Sequence, residues 1–100
     1  MVVRLVGLNV TDPDQYAEYR KHMTPLLEAH GGSFGVDVWV KEVLRSPAEE
    51  PINRLFTIQF PSLEKLEAFF SNPEYLAIRA RYFDPSVAYF VEMGRFETLG

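Results

Sequence analysis

One hundred residues, 47% hydrophobic and 14% aromatic, carry a formal net charge of −4 and contain no cysteine. The composition predicts one globular domain over residues 1–100, and it excludes disulfides, thiol nucleophiles and thiolate metal centres. No basic run exceeds Arg20-Lys21 and no apolar stretch approaches the ~20 residues of a membrane-spanning helix, so the expectation is a cytoplasmic chain with neither nucleic acid nor membrane as partner.

Residues 3–10 form a short β-branched and aliphatic run, predicted as a strand buried on both faces. Arg4 interrupts that run, which therefore does not read as a secretion signal. Thr11-Asp12-Pro13 ends the strand and starts a helix. Asp12 can cap it, Pro13 suits its first position, and Gln15 can reach back as in a capping box. Tyr16, Tyr19, Met23, Leu26, Leu27 and His30 recur at helical spacing on one stripe facing the sheet, and Gly31-Gly32 stops the helix. Pro25 lies inside this stripe. It predicts either a kink near Lys21 or a second short helix capped by Thr24.

Phe34 to Leu44 alternates as a second strand, with Phe34, Val36, Val38 and Val40 on one face and Asp37, Trp39 and Lys41 on the other. Ser46 to Pro51 reads as a surface loop to an antiparallel neighbour, Arg54 to Phe60, in which Phe56, Ile58 and Phe60 oppose Leu55, Thr57 and Gln59. Ser62 caps a helix whose inner side is predicted as Leu63, Leu66 and Phe70. Asn72-Pro73 restarts a third helix carrying Tyr75, Ile78, Arg79 and Tyr82 on one face. Asp84-Pro85 breaks it, and Val87 to Phe96 form the last strand. The order β-α-β-β-α-α-β predicts an α+β, ferredoxin-like fold: a four-stranded antiparallel sheet with helices on one face. The uncovered face carries large apolar groups, and packing two such sheets about a two-fold axis would bury them, so self-association as a homodimer is expected.

Chemistry-bearing residues are few. Glu18, His22 and His30 raise the question of a metal site, but eight helical positions put the two imidazoles about 80° apart and roughly 12 Å along the axis. No metal is expected there, and Glu18–His22 reads as a surface pair. His30, at the inner end of its helix, is the single candidate for catalytic proton transfer; it can equally bond the last carbonyls of the helix. Arg79 either snorkels outward or meets an anion, with Glu92, Asp37 or a bound carboxylate as its partner. Tyr16, Tyr19, Trp39, Phe69 and Phe70 can line a pocket for a flat organic ligand, with Asn9 as a polar contact, or simply fill the core.

The elements Thr11-Asp12-Pro13-Asp14-x-Tyr16-x-x-Tyr19-Arg20, Gly31-Gly32-x-Phe34, Phe60-Pro61-Ser62 and Ser71-Asn72-Pro73-Glu74-Tyr75-x-x-Ile78-Arg79 together span nearly the whole chain. The set resembles the domain of unknown function 1330 family, or a sister family, of the dimeric α+β barrel superfamily. This chain departs from the family pattern in its middle, where Asp37 to Lys41 runs on into a longer proline-containing loop in place of a glycine-containing turn. The resemblance implies a homodimer with a cavity between each sheet and its helices, and it brings no established activity. Haem-degrading members of the superfamily use an asparagine, a tryptophan and a helical histidine together. Asn9 matches the first, while Phe69 and Arg79 stand at the other two positions, so neither haem nor another cofactor is expected.

The functional expectation is a small homodimer that binds an aromatic or anionic metabolite through Asn9, Tyr16, Tyr19, Trp39 and Arg79, with His30 as proton carrier if the chain is an enzyme. A cofactor-independent monooxygenase or isomerase is one alternative. A structural dimer without a ligand pocket is the other.

Overall fold

The computed structural model describes residues 1–99. β1 (Val2–Val10) leads into α1 (Pro13–Ala29), followed by β2 (Ser33–Trp39), β3 (Arg54–Phe60), α2 (Leu63–Ser71), α3 (Pro73–Ile78) and β4 (Val87–Glu97). Between α3 and β4 the chain makes a π-helical turn at Arg79–Phe83 and a 3₁₀ turn at Asp84–Ser86. The strands pair antiparallel in the order β2-β3-β1-β4, giving the ferredoxin-like α+β fold. No helix among the described residues is long and apolar enough to cross a membrane.

Local chemistry accounts for the helix boundaries. The Asp12 carboxylate accepts from the Gln15 amide, Ser62 Oγ from the Lys65 amide, and Asn72 Oδ1 from the amides of Glu74 and Tyr75. Each bond satisfies a donor that the first helical turn cannot pair. Gln15 does not close a capping box; its side-chain amide instead donates to the Arg81 carbonyl at 3.0 Å, tying α1 to the π-turn. α1 is one helix that contains Pro25, not two. Lys21, whose carbonyl Pro25 cannot serve, is exposed, so water can take that bond. Gly31 adopts φ +74° just past the helix end, a conformation that glycine takes without a Cβ penalty.

The core lies between the sheet and the helices. Val2, Val6, Leu8, Phe56, Ile58 and Phe60 supply the sheet side, and Tyr16, Tyr19, Met23, Leu27, Leu66, Phe69 and Tyr75 the helical side. Burying a large side chain of this kind stabilises the fold by about 1.5–3 kcal/mol. On α2 Leu66 and Phe69 are buried and Phe70 packs half-buried beside them, whereas Leu63 is 46% exposed. Leu63 is the first residue of that short helix, and from there it projects past the edge of the core.

Strand β2 differs most from its alternating pattern. It stops at Trp39, and residues 40–53 form an irregular segment. That segment is pinned by Asn53, whose side chain makes two bonds to the Val10 backbone and whose own amide donates to the Leu8 carbonyl. The register of β2 on β3 also slips between Phe34 and Asp37. Phe34 stands opposite Ile58, Asp37 opposite Phe56 and Trp39 opposite Arg54, so Phe34, Asp37 and Trp39 share the helix-facing side. Val36 and Val38 lie on the open side. The extra residue comes at Gly35-Val36, where the Val36 amide donates to Thr57 Oγ1 at 2.8 Å.

Candidate functional site

The register builds a charged cavity floor out of an otherwise apolar sheet. Phe34, Ile58, Arg4 and Arg95 are successive partners in one row across β2, β3, β1 and β4. The neighbouring row is Asp37, Phe56, Val6 and Glu92. Arg4 thus occupies a core-facing position between Val2 and Val6. Its side chain is only 12% exposed and its Nε has no hydrogen-bond partner. Arg4 donates once, to Glu92 at 3.4 Å, and its guanidinium lies 4.6 Å from the Phe70 ring centroid.

Above this floor is a cavity of about 290 Å³ between sheet and helices. Small-molecule pockets begin at roughly this size. Four arginines line it, Arg4, Arg20, Arg79 and Arg95, together with the Tyr19 and Tyr75 side chains and apolar groups such as Phe34, Met23 and Ile58. No histidine, aspartate or glutamate is among the lining residues.

Each arginine is oriented by a carboxylate behind it. Asp37 accepts from the two terminal nitrogens of Arg20 at 3.0 and 3.2 Å and from Arg54 at 2.9 and 3.0 Å. Arg20 is further held by its Nε bond to Tyr16 Oη at 2.8 Å and by the Phe34 ring, 3.8 Å from its guanidinium. Such stacked, bidentate contacts fix a guanidinium where a lysine would wander. Glu92 takes Arg95 at 2.9 Å as well as Arg4. Arg79 meets Asp84 at 3.7 Å and is the most loosely held of the four.

Burial would raise the Asp37 carboxyl, but the hydrogen bonds and charges of Arg54 and Arg20 outweigh it and hold the group below its usual value. The Arg95 hydrogen bond lowers Glu92 in the same way, against a smaller upward push from burial. Tyr19 and Tyr75 share a 2.8 Å hydroxyl–hydroxyl bond, and burial pushes both phenols up, Tyr19 far more. Both remain protonated at neutral pH. One hydroxyl donates to the other, which leaves one phenolic proton for a further acceptor.

The sequence-derived candidates divide around this cavity. Tyr19 and Arg79 line it. Tyr16 is fully buried beside it, with its ring 5.7 Å from that of Tyr19, and acts on the cavity through Arg20. Asn9 does not reach it: its side chain follows the parity of Gly7 onto the open face of the sheet and donates to the Pro51 carbonyl at 2.6 Å. Trp39 lies at the end of β2, 54% exposed under the Arg54 guanidinium, outside the lining. His30 is outside it as well. Its Nδ1 donates to the Leu26 carbonyl at 2.8 Å and its ring packs edge-on against Phe69, which holds the imidazole at the helix end and away from the cavity. Arg79 pairs with Asp84, whereas Glu92 and Asp37 serve other arginines. Glu18 and His22 form a 3.5 Å surface pair, and the His22 ring stacks on Tyr82.

The family model described as "Domain of unknown function (DUF1330)" matches residues 4–91. No curated protein matches the chain. Among solved structures, a protein of unknown function from Rhodopseudomonas palustris is 17% identical with a TM-score of 0.82, covering 99% of this chain and 82% of its own. An uncharacterized NIPSNAP domain protein from Burkholderia xenovorans is 11% identical with a TM-score of 0.70, covering 98% and 94%. A dimeric ferredoxin-like protein of unknown function from Thermobifida fusca is 17% identical with a TM-score of 0.62, covering 97% and 90%. At these identities the likeness is one of fold.

Proposed function

The chain belongs to the DUF1330 family, and from that premise we propose that it is a homodimer whose subunits each bind a small anionic molecule with an apolar or aromatic body between sheet and helices. The observation that carries the reading is Arg4, a nearly buried cation on the cavity floor with an unpaired Nε. Its one bond, to Glu92, is 3.4 Å long, so the terminal nitrogens of the guanidinium keep donor capacity that a carboxylate in the cavity can take. Arg20, Arg79 and Arg95 add cationic donors to the same space, and aromatic rings supply its walls. The lining offers donors and no carboxylate or imidazole, so recognition of an anion is better supported than proton abstraction.

Dimerisation rests on the open sheet face. Val36, Val38, Met93 and Phe96 are exposed there, and the Thermobifida fusca neighbour of the same fold is described as dimeric. Covering this face with a second sheet leaves the cavity on the opposite side accessible.

Calorimetric titration tests the ligand reading. Benzoate and phenylacetate are expected to bind at millimolar concentration or better, more weakly in high salt, and the uncharged benzamide not at all. Equal binding of benzamide, or no response to any carboxylate, would refute it.

A further inference from the structure

The arginines of the cavity are not scattered. Arg4, Arg20 and Arg95 gather, with Arg54 from beside the lining, into two clusters toward opposite edges of the sheet, each of two arginines and one carboxylate, while Arg79 stands apart with Asp84. At the β4 edge, Glu92 accepts from Arg4 and Arg95. At the β2 edge, Asp37 accepts from Arg20 and Arg54. Two guanidiniums share one carboxylate in each case, so each edge keeps one uncompensated positive charge. The floor between them, Ile58, Phe56 and Val6, is apolar. The midpoints of the two strand pairs lie two inter-strand steps of about 4.8 Å apart, so the poles are separated by about 10 Å.

A monoanion neutralises one pole and leaves the other. We infer that the ligand is an elongated dianion, with one acidic group at Arg4 and Arg95, the other at Arg20, and an apolar middle over Val6 and Ile58. This inference rests on the reading of the cavity as an anion site. The β4 pole is the less saturated, because Arg4 makes a single long bond to Glu92, whereas Arg20 and Arg54 each make two bonds to Asp37. The first acidic group therefore belongs at Arg4. The spare phenolic proton of the Tyr19–Tyr75 pair can serve an acceptor atom between the two ends.

The test needs no variant for its main comparison. Unaltered protein is titrated with α,ω-dicarboxylates from succinate to suberate and with terephthalate, each against its monomethyl ester. One diacid is expected to bind about tenfold or more tightly than its half-ester, as the loss of one charge-assisted contact requires, with affinity peaking at one length. Arg4→Met should weaken the diacid and the half-ester alike, and Arg20→Gln the diacid alone. Half-esters that bind as tightly as their diacids would overturn the dianion while leaving the anion site intact. If neither class binds, both readings fall together.

Discussion

Arg4→Met separates a group kept for a ligand from one kept for the fold. In the free protein the Arg4 side chain is 12% exposed, makes one hydrogen bond of 3.4 Å and leaves Nε unpaired. Methionine matches the stem of arginine as far as Nε and packs adaptably. The change forfeits a long charge-assisted bond, worth at most about 1.5 kcal/mol, and a cation–π contact of about 0.5–2 kcal/mol. It recovers the cost of an unsatisfied buried donor, about 1–3 kcal/mol, and much of the desolvation of a cation. Glu92 is not stranded, since Arg95 still holds it at 2.9 Å. The balance lies within about 1 kcal/mol of zero, a melting-temperature change of no more than about 8 °C in either direction for a domain of this length. Carboxylate affinity, in contrast, should fall about 10- to 100-fold, the worth of one charged hydrogen bond. Thermal unfolding by circular dichroism and calorimetric titration on the same preparation read both quantities. A loss of more than about 3 kcal/mol in stability, or unchanged affinity, would refute the assignment of Arg4 to a ligand.

The Tyr19–Tyr75 hydroxyl pair predicts a coupled double-mutant cycle. Tyr19→Phe or Tyr75→Phe alone should cost about 1–3 kcal/mol by stranding the other hydroxyl, and the double variant less than the sum, as urea denaturation will show. The folded pKa values of Asp37 and Glu92 lie below their usual 3.8 and 4.5, so the stability they contribute is present above those values and is lost as pH falls through the lowered ones. Urea midpoints measured from pH 6 down to pH 2.5 should therefore decline below about pH 4.5, less steeply in Asp37→Asn; an identical slope in that variant would remove Asp37 from the account. A Cβ at Gly35 would lie 2.5 Å from Thr57 Oγ1, which accepts from the Val36 amide, so Gly35→Ala should cost about 1–3 kcal/mol and weaken carboxylate binding through Asp37 and Arg20. Met93→Lys, on the open sheet face, is expected to shift the mass in light scattering from dimer to monomer while leaving the circular dichroism spectrum unchanged.

The elements and their caps were legible in the sequence because they are local. Asp12, Ser62 and Asn72 each bond an amide two or three residues on, and no distant partner is needed to decide it. The inward stripe of α1 was legible for the same reason. The orientation of β2 was not, since its reversal depends on the hydroxyl of Thr57, a residue of another strand. His30 illustrates a different limit. Helical spacing left it two roles, proton carrier or partner of the free carbonyls in the last turn, and the bond to the Leu26 carbonyl is the second. Arg4 carries the clearest signal of the site, a charge at a core-facing position of an otherwise apolar strand. Arg20 and Arg95 gave no such sign, because both depend on the pairing of the edge strands, Arg20 on α1 through Asp37 of β2 and Arg95 through the register of β4.

Both edge strands achieve that pairing by one device. In a regular strand residues three apart point to opposite faces. Phe34 and Asp37 are three apart in β2, as are Glu92 and Arg95 in β4, yet each pair lies on the helix-facing side. The register slips at Gly35-Val36 in one strand and at Met93-Gly94 in the other, next to the carboxylate in both cases. A bulge is tolerated most easily at a sheet edge, where one side of the strand has no ladder to break. The central strands cannot absorb such slips without losing the apolar parity of Val6, Leu8, Phe56 and Ile58. Charge therefore enters the helix-facing layer from its two rims, where Asp37 and Glu92 each hold one arginine of the adjoining central strand, Arg54 and Arg4, and the apolar strip left between them is what gives the cavity two separate poles.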